Sequence, residues 1–179
     1  MREAPELIVQ QWLNTPEPIT LRALRGRVVL IEAFQMLCPA CVSHALPQAR
    51  EVAKTFSSDE LVILGLHTVF EHHAAQGTRE ALEAFLHEYR ITFPVGIDMP
   101  ADTGSTPQTM TAYRMQGTPT TLLIDRDGVL RMQTFGRTRD MSLGARLATL
   151  LQEPVTSSAV ETRVEGCDET GCPAPNAGG

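Results

Sequence analysis

Residues 28–41 read Val-Val-Leu-Ile-Glu-Ala-Phe-Gln-Met-Leu-Cys-Pro-Ala-Cys, a short apolar run that leads into two closely spaced cysteines. The first seven residues are nearly all apolar and rich in β-branched side chains, which predicts a strand buried on both faces. Apolar residues then recur at steps of three and four from Val42 to Phe56, which predicts a helix, kinked about one turn in by Pro47. Cys38 and Cys41 therefore lie between a buried strand and an amphipathic helix.

Strands and helices alternate on both sides of this junction. Residues 1–27 predict a short strand or loop and a brief helical turn. The elements predicted after the first helix are a strand at 61–66, a helix from Thr78 to Tyr89, a strand at 93–97, a short helix near 107–114, a hairpin of 122–124 with 129–135, and a last helix capped by Asp140. This order predicts an α/β fold with parallel central strands and an antiparallel closing hairpin.

Composition restricts the class of protein. The chain has 179 residues, of which 42% are apolar and 20% charged, so it can bury a core. Its net charge of −6 gives no reason to expect a nucleic acid as partner. We find neither a secretory signal nor an apolar run long enough for a membrane span, and we expect a cytoplasmic protein. Residues 1–151 are predicted to form one domain, followed by a poorly ordered tail at 152–179.

The spacing of Cys38 and Cys41 suits thiol chemistry. A cysteine at a helix N-terminus is stabilised as the thiolate by free backbone N–H groups and the helix dipole. That thiolate can attack a disulfide, and a second thiol one helical turn later can release the product. Pro39 suits the first turn of a helix. A structural pair or half of a zinc site are the alternatives.

Glu32 is unusual because a carboxylate in the middle of an apolar strand should be buried. Burial of an ionised carboxylate is costly, so it would raise the pKa and allow proton exchange near neutral pH. The alternative is a carboxylate that reaches water or a salt bridge.

Four segments in this order resemble the TlpA-like branch of the thioredoxin superfamily: 26–34, Cys38-Pro-Ala-Cys41, Gly117-Thr-Pro-Thr120 and Ile124-Asp-Arg-Asp-Gly128. The resemblance covers about residues 5–151. It implies a thioredoxin-like fold, with a central mixed β-sheet flanked by helices and an extra helix and strand inserted before a cis-proline. The helix that contains Phe85 and the strand near Val95 occupy the place of that insertion.

The resemblance also implies an activity, thiol-disulfide oxidoreduction, and a set of site residues. Pro119 is expected to be cis and to face the dithiol, and Thr118 to offer its backbone to an extended substrate peptide. Glu32 is expected to assist deprotonation of Cys41. The implied partners are protein disulfides or dithiols and an upstream thiol reductant or oxidant, with no cofactor beyond the redox-active disulfide.

The sequence departs from thioredoxins next to the cysteines. Leu37 stands where thioredoxins usually have Trp, and Pro-Ala replaces their Gly-Pro dipeptide, so the direction of electron flow is open. A second pair, Cys167 and Cys172, is a candidate auxiliary redox pair, with an incidental disulfide or a weak metal clamp as alternatives. His44, one helical turn after Cys41, could tune the thiols or be a solvated helix residue. His67 follows the second strand and His72-His73 are predicted to lie in a polar loop; they lack the spacing of a metal site.

Two other functions remain open. The first is a peroxiredoxin-like peroxidase, although Gln35 occupies the position three residues before the cysteine where such enzymes usually have Thr. The second is a non-enzymatic module that holds zinc or a partner with all four cysteines.

Overall fold

The computed structural model describes residues 2–154 and contains one mixed β-sheet. Its strands are β1 (Val9–Leu13), β2 (Val28–Phe34), β3 (Leu61–His67), β4 (Val95–Asp98), β5 (Thr120–Ile124) and β6 (Leu130–Phe135). They are arranged in the order β1-β4-β3-β2-β5-β6. The β2–β3 and β3–β4 pairs are parallel, whereas β1–β4, β2–β5 and β5–β6 are antiparallel. The predicted parallel centre and antiparallel hairpin are confirmed.

Helices cover both faces of this sheet. They are α1 (Leu46–Thr55), α2 (His73–Gln76), α3 (Arg79–Glu88), α4 (Gln108–Ala112) and α5 (Asp140–Gln152). The apolar residues of α1, α3 and α5 pack in one core cluster, and those of α4 pack in a second cluster with the 3-10 turn Arg22–Leu24. The predicted α/β architecture, with helices on both faces of a mixed sheet, is confirmed.

Strand β2 supplies alternate residues to the two cores. Val29, Ile31 and Ala33 belong to the α4 side, whereas Val28, Leu30 and Phe34 belong to the side of α1, α3 and α5. All seven residues of the strand are buried, as a continuous apolar run between two layers requires. By the same alternation Glu32 faces the side on which the cysteine-bearing segment packs.

The segment after the cysteines is not a uniform α-helix. Residues Cys41–Ala45 form a π-helical turn, and α1 begins only at Leu46 with Pro47 in its first turn. Pro47 lacks a backbone N–H, which is tolerated in the first turn of a helix. The predicted helix therefore begins as a π turn, and Pro47 lies in the first turn of α1 instead of inside a continuous helix.

Two local predictions are wrong. Asp140 is the first residue of α5 instead of its cap, since Arg139 holds the N-cap position without a side-chain hydrogen bond. The Asp140 carboxylate instead accepts a hydrogen bond from Gln48 Nε2 at 2.6 Å, a contact between distant segments that local sequence does not reveal. His72-His73, predicted to lie in a loop, lead into α2. By contrast, Thr78 caps α3 as predicted, accepting a hydrogen bond from the Ala81 N–H.

Candidate active site

Cys38 and Cys41 form a disulfide at the carboxyl end of β2, with their Cα atoms 5.2 Å apart. The two sulfurs differ in access, because Cys38 is partly exposed and Cys41 is fully buried. The backbone N–H of Cys41 donates a hydrogen bond to Cys38 Sγ at 3.3 Å. An N–H aimed at this sulfur favours its thiolate once the pair is reduced. Cys38 is thus the sulfur suited to attack, and Cys41 the one suited to resolve.

The loop before β5 brings a second backbone segment to the disulfide. The Thr118–Pro119 peptide bond is cis, and the Thr118 carbonyl oxygen lies 3.5 Å from Cys38 Sγ. The Gly136 N–H donates to the Pro119 carbonyl at 2.8 Å and so ties this loop to the end of β6. The structure therefore places the carbonyl of Thr118 beside the Cys38 sulfur, and Pro119 follows it across the cis bond.

Glu32 lies in the centre of the sheet, opposite Thr121 of β5. Only 1% of its surface is exposed, and its Oε2 atom accepts a hydrogen bond of 2.9 Å from Thr121 Oγ1. Its Oε1 atom has no hydrogen-bond partner among the described residues. Burial raises the pKa of Glu32 to about 8, while the bond from Thr121 lowers it in part. The structure thus gives Glu32 the burial that the sequence predicted, and a carboxyl group able to gain and lose a proton near neutral pH.

Two buried glutamines fix the approach to the cysteines. Gln76 accepts a hydrogen bond from the Leu37 N–H at 3.1 Å and donates one of 3.0 Å to Gln35 Oε1. Gln35 Nε2 in turn lies within 3.4 Å of Thr118 Oγ1. This network connects the segment before Cys38 with the residue before the cis-proline. From the sequence alone, Gln35 bears only on the peroxidase alternative, and no local pattern marks Gln76.

Apolar side chains flank the disulfide on the surface. Leu37, immediately before Cys38, is 54% exposed, and Phe135 is 52% exposed. The Phe135 ring lies over Gly117, where an added Cβ would come within 2.9 Å of Cε2. One exposed apolar residue thus precedes Cys38, and another, at the end of β6, packs over the loop that carries Thr118.

Comparisons with known proteins agree with this geometry. The model of the AhpC/TSA family matches residues 1–133. The chain belongs to the AhpC/TSA family. It is 56% identical to a thioredoxin-like superfamily protein of known crystal structure, with a TM-score of 0.83 over 86% of this chain and 98% of that one. It is 45% identical to a thiol-disulfide isomerase from Corynebacterium glutamicum, with a TM-score of 0.80 over 84% of this chain and 98% of that one.

Two relatives found by sequence comparison share less identity with this chain than the two solved structures do. Protein DipZ of Mycobacterium bovis is 31% identical over 136 residues, which are 74% of this chain and 18% of DipZ. The thiol-disulfide oxidoreductase ResA of Bacillus thuringiensis is 27% identical over 135 residues, 75% of this chain and 69% of ResA. This AhpC/TSA-family chain thus spans less than a fifth of the length of DipZ. The thioredoxin-like fold and the predicted membership of the thioredoxin superfamily are confirmed.

Metal binding, membrane crossing and the tail cysteines were also considered for this AhpC/TSA-family chain. Among residues 2–154, no three His, Cys, Asp or Glu side chains come together as a metal site would require. No helix within the same range is long and apolar enough to cross a membrane. The tail pair Cys167 and Cys172 lies outside the described residues.

His67, at the end of β3, is buried without being part of the redox pair. It is 2% exposed, its ring lies 5.3 Å from that of Phe34, and its Nε2 atom has no hydrogen-bond partner among the described residues. Burial lowers the pKa of His67 to about 4 from its usual 6.5. The folded protein therefore holds a neutral histidine at pH values where the unfolded chain is protonated.

We expect His67 to make the folded state acid-sensitive. Below pH 6.5, His67 binds a proton in the unfolded chain but stays neutral in the folded protein. The free energy of unfolding therefore falls as pH drops. Between pH 6.5 and 4 the loss should be about 3 kcal/mol. Urea unfolding at several pH values should show a smaller slope for His67→Leu than for wild type. His87→Gln, a change at an exposed histidine, is the control, and an unchanged slope in His67→Leu would contradict the assignment.

Proposed function

We propose that this chain is a thiol-disulfide oxidoreductase that exchanges its Cys38–Cys41 pair with protein disulfides and dithiols. One observation carries the proposal: a partly exposed Cys38 sulfur lies 3.5 Å from the carbonyl of Thr118, the residue before the cis-proline. A backbone carbonyl beside a reactive sulfur suits an extended peptide, which can add to it like a strand. Leu37 and Phe135 provide apolar contacts on either side of such a peptide.

In the reducing direction the reaction has two steps. The Cys38 thiolate attacks one sulfur of the substrate disulfide, so that a mixed disulfide forms and the other substrate sulfur leaves as a thiolate. Glu32 then takes the proton of Cys41, and the Cys41 thiolate attacks Cys38 Sγ. The second substrate sulfur leaves, and two electrons have passed from the pair to the substrate. The reverse sequence oxidises a dithiol, and an upstream thiol reductant or oxidant resets the pair.

The proposal gives a different role to each site residue. Cys38 is the nucleophile, Cys41 resolves the mixed disulfide, and Glu32 acts as the base for Cys41. Thr118 and Pro119 bind the substrate backbone. Electrons move through sulfur alone, so the exchange needs no organic cofactor or metal.

The reduction potential of the pair tests this proposal. It should be measured against glutathione in a variant with Cys167 and Cys172 changed to Ser, so that only Cys38 and Cys41 respond. We expect a reversible two-electron couple. A reduction potential of about −270 mV would indicate a reductant and support the cytoplasmic location. A reduction potential of about −120 mV would indicate an oxidant that acts outside the cytoplasm. A pair without a reversible couple would exclude the proposed function.

The peroxidase alternative has a separate test. Gln35, which occupies the position of the expected Thr, is buried and hydrogen-bonded to Gln76. Its side chain is thus engaged in positioning the loop before Cys38. Consumption of hydrogen peroxide by the reduced protein, at rates exceeding its exchange with protein disulfides, would favour the peroxidase.

A further inference from the structure

We infer that the hydroxyl groups of Thr121 and Thr138 form a relay that carries protons between Glu32 and a groove on the protein surface. The inference rests on the proposed function, because the proton in question is the one that Glu32 exchanges with Cys41. It adds two positioning residues to the site, one on β5 and one in the loop before α5.

The relay consists of two consecutive hydrogen bonds. Thr121 Oγ1 donates to Glu32 Oε2 at 2.9 Å, and Thr138 Oγ1 donates to Thr121 Oγ1 at 3.4 Å. Both threonines line a groove of about 560 Å³ that runs between α1 and α5. Glu32 does not line that groove, so the two hydroxyls connect the buried carboxylate to it.

A contact across the groove holds the outer threonine in place. Gln48 of α1 donates one hydrogen bond to the Thr138 carbonyl at 2.9 Å and another to Asp140 at the start of α5. The Thr138 backbone is thereby fixed between the two helices. Its hydroxyl is thus positioned for Thr121.

A relay is needed because Glu32 is enclosed. In each catalytic cycle this carboxyl group takes a proton from Cys41 and must lose it before the next cycle. With 1% of its surface exposed, it cannot exchange that proton directly with bulk water. Among the described residues, Thr121 is its hydrogen-bond partner, and Oε1 is left without one. We assign Oε1 to the exchange with Cys41 and Oε2 to the exchange with solvent.

With both hydroxyls donating toward the carboxylate, the relay delivers a proton to an ionised Glu32. The Thr138 hydroxyl takes up a proton from the groove and donates its original proton to the Thr121 hydroxyl. Thr121 in turn donates its original proton to Glu32 Oε2. Each hydroxyl gains one proton and loses one, so both end neutral. Proton release follows the same path with both hydroxyls turned around, and the product is a protonated buffer or water molecule in the groove.

Several titratable groups surround this path and will shape its pH dependence. Cys41 packs on the same face of the sheet as Glu32, and His67 lies on that face at the end of β3. Gly65, the partner of Glu32 on β3, contributes no titratable group. The groove itself is lined by His44 and Glu51 from the cysteine-bearing helical segment and by Arg137 and Asp140 near the start of α5.

Thr138→Val is the decisive variant, because Thr138 does not touch Glu32. We expect it to slow release of the mixed disulfide about tenfold, a smaller loss than removal of a proton-transfer group itself should cause. The apparent pKa of the step should stay at its wild-type value. Added imidazole should restore the rate as its concentration rises, since a small base in the groove can take over the missing hydroxyl. A change that only loosened the fold would not be rescued in this way.

Thr121→Val and Thr121→Ser provide the second comparison. The valine variant loses both the relay and the hydrogen bond that lowers the pKa of Glu32, so the step should be slow and its pH profile shifted upward. The serine variant keeps the hydroxyl and should recover most of the rate. Thr149→Val, which removes an exposed hydroxyl on α5, controls for threonine replacement in general.

The outcomes separate the relay from the proposed function. If Glu32→Gln slows the step while Thr138→Val retains the wild-type rate, the relay is wrong and the role of Glu32 stands, whatever shift Thr121→Val causes through the lost hydrogen bond to Glu32. If Glu32→Gln leaves the pH profile unchanged, the role of Glu32 fails, and the relay with it. A slow Thr138→Val variant that imidazole rescues supports both.

Discussion

Cys38→Ser should abolish disulfide exchange, whereas Cys41→Ser should complete the first step and accumulate a covalent complex with its substrate. The reason is the difference in access between the two sulfurs: Cys38 is partly exposed beside Thr118, and Cys41 is fully buried. Without the nucleophile, exchange should fall on the order of 10³-fold or more. Without the resolving thiol, the mixed disulfide has no intramolecular route to product.

The measurement uses the reduced variants and a protein substrate with an accessible disulfide. Both changes should be made in a background with Cys167 and Cys172 changed to Ser, so that the tail pair cannot resolve the complex. Non-reducing electrophoresis and mass spectrometry should show an adduct on Cys38 in the Cys41→Ser variant and none in the Cys38→Ser variant. An adduct on Cys41 in Cys38→Ser protein would reverse the assignment.

The Cys41→Ser variant also tests whether Cys167 and Cys172 can resolve the mixed disulfide. If Cys41→Ser forms a stable adduct in the Ser background but releases it when Cys167 and Cys172 are present, the tail pair can resolve the complex. If the adduct is equally stable in both, the tail pair takes no part in this step. The auxiliary role of Cys167 and Cys172 stays a prediction until that comparison is made.

The sequence predicted the fold well where one element determines its own structure. The apolar run at 28–34 predicted a strand covered on both faces, and the alternation within that strand places Glu32 on the side of the cysteine-bearing helical segment. The helix of the insertion was also predictable, since it has a clear apolar face and a Thr78 cap, whereas its place as an insertion followed from the resemblance to the thioredoxin superfamily. The insertion consists of α3 and β4, preceded by the short helix α2.

Residues whose roles depend on distant contacts could not be predicted in this way. Gln76 bonds to Gln35 across 41 positions in the chain, and Thr138 bonds to Thr121 across 17. A glutamine in a short polar helix and a threonine in a loop have no local pattern that distinguishes them from solvated residues. A polar residue in a buried strand needs a partner, which would have been a partial signal for Thr121, but the strand was predicted to begin only at residue 122, whereas β5 begins at Thr120.

Glu32→Gln should have the second large effect, and it can be detected first in stability. The pKa of Glu32 is raised from 4.5 to about 8 in the folded protein. Between these pH values the folded state keeps a proton that the unfolded chain releases, so the free energy of unfolding falls as pH rises. The cost is absent below pH 4.5 and complete above pH 8, and it should reach roughly 3–5 kcal/mol.

Glutamine keeps the shape of the side chain and an oxygen that can accept from Thr121, but it does not titrate. Urea unfolding of the oxidised proteins should therefore show that Glu32→Gln gains stability relative to wild type as pH rises from 5 to 8.5. The difference between the two proteins removes the opposite contribution of His67, which both share. A difference that is constant over this range would show that Glu32 has an ordinary pKa in the folded state.

In catalysis, Glu32→Gln should slow the resolution of the mixed disulfide. A base that must deprotonate Cys41 is removed, and a positioned proton-transfer group usually contributes on the order of 10²-fold or more. We expect release of the mixed disulfide to slow by about 10²-fold at pH 7. The deficit should shrink as pH rises, because hydroxide then deprotonates Cys41 directly.

Formation of the mixed disulfide by Cys38 should change little, so rapid-mixing experiments that follow the two steps separately will identify the step that depends on Glu32. Equal slowing of both steps would indicate a disturbed site, and an unchanged second step would remove Glu32 from the mechanism. If Glu32→Gln is more stable than wild type at pH 8 and yet resolves the mixed disulfide more slowly, the buried carboxylate of Glu32 lowers stability while it supports catalysis. Resolution of the mixed disulfide would then be the reason that the protein keeps it.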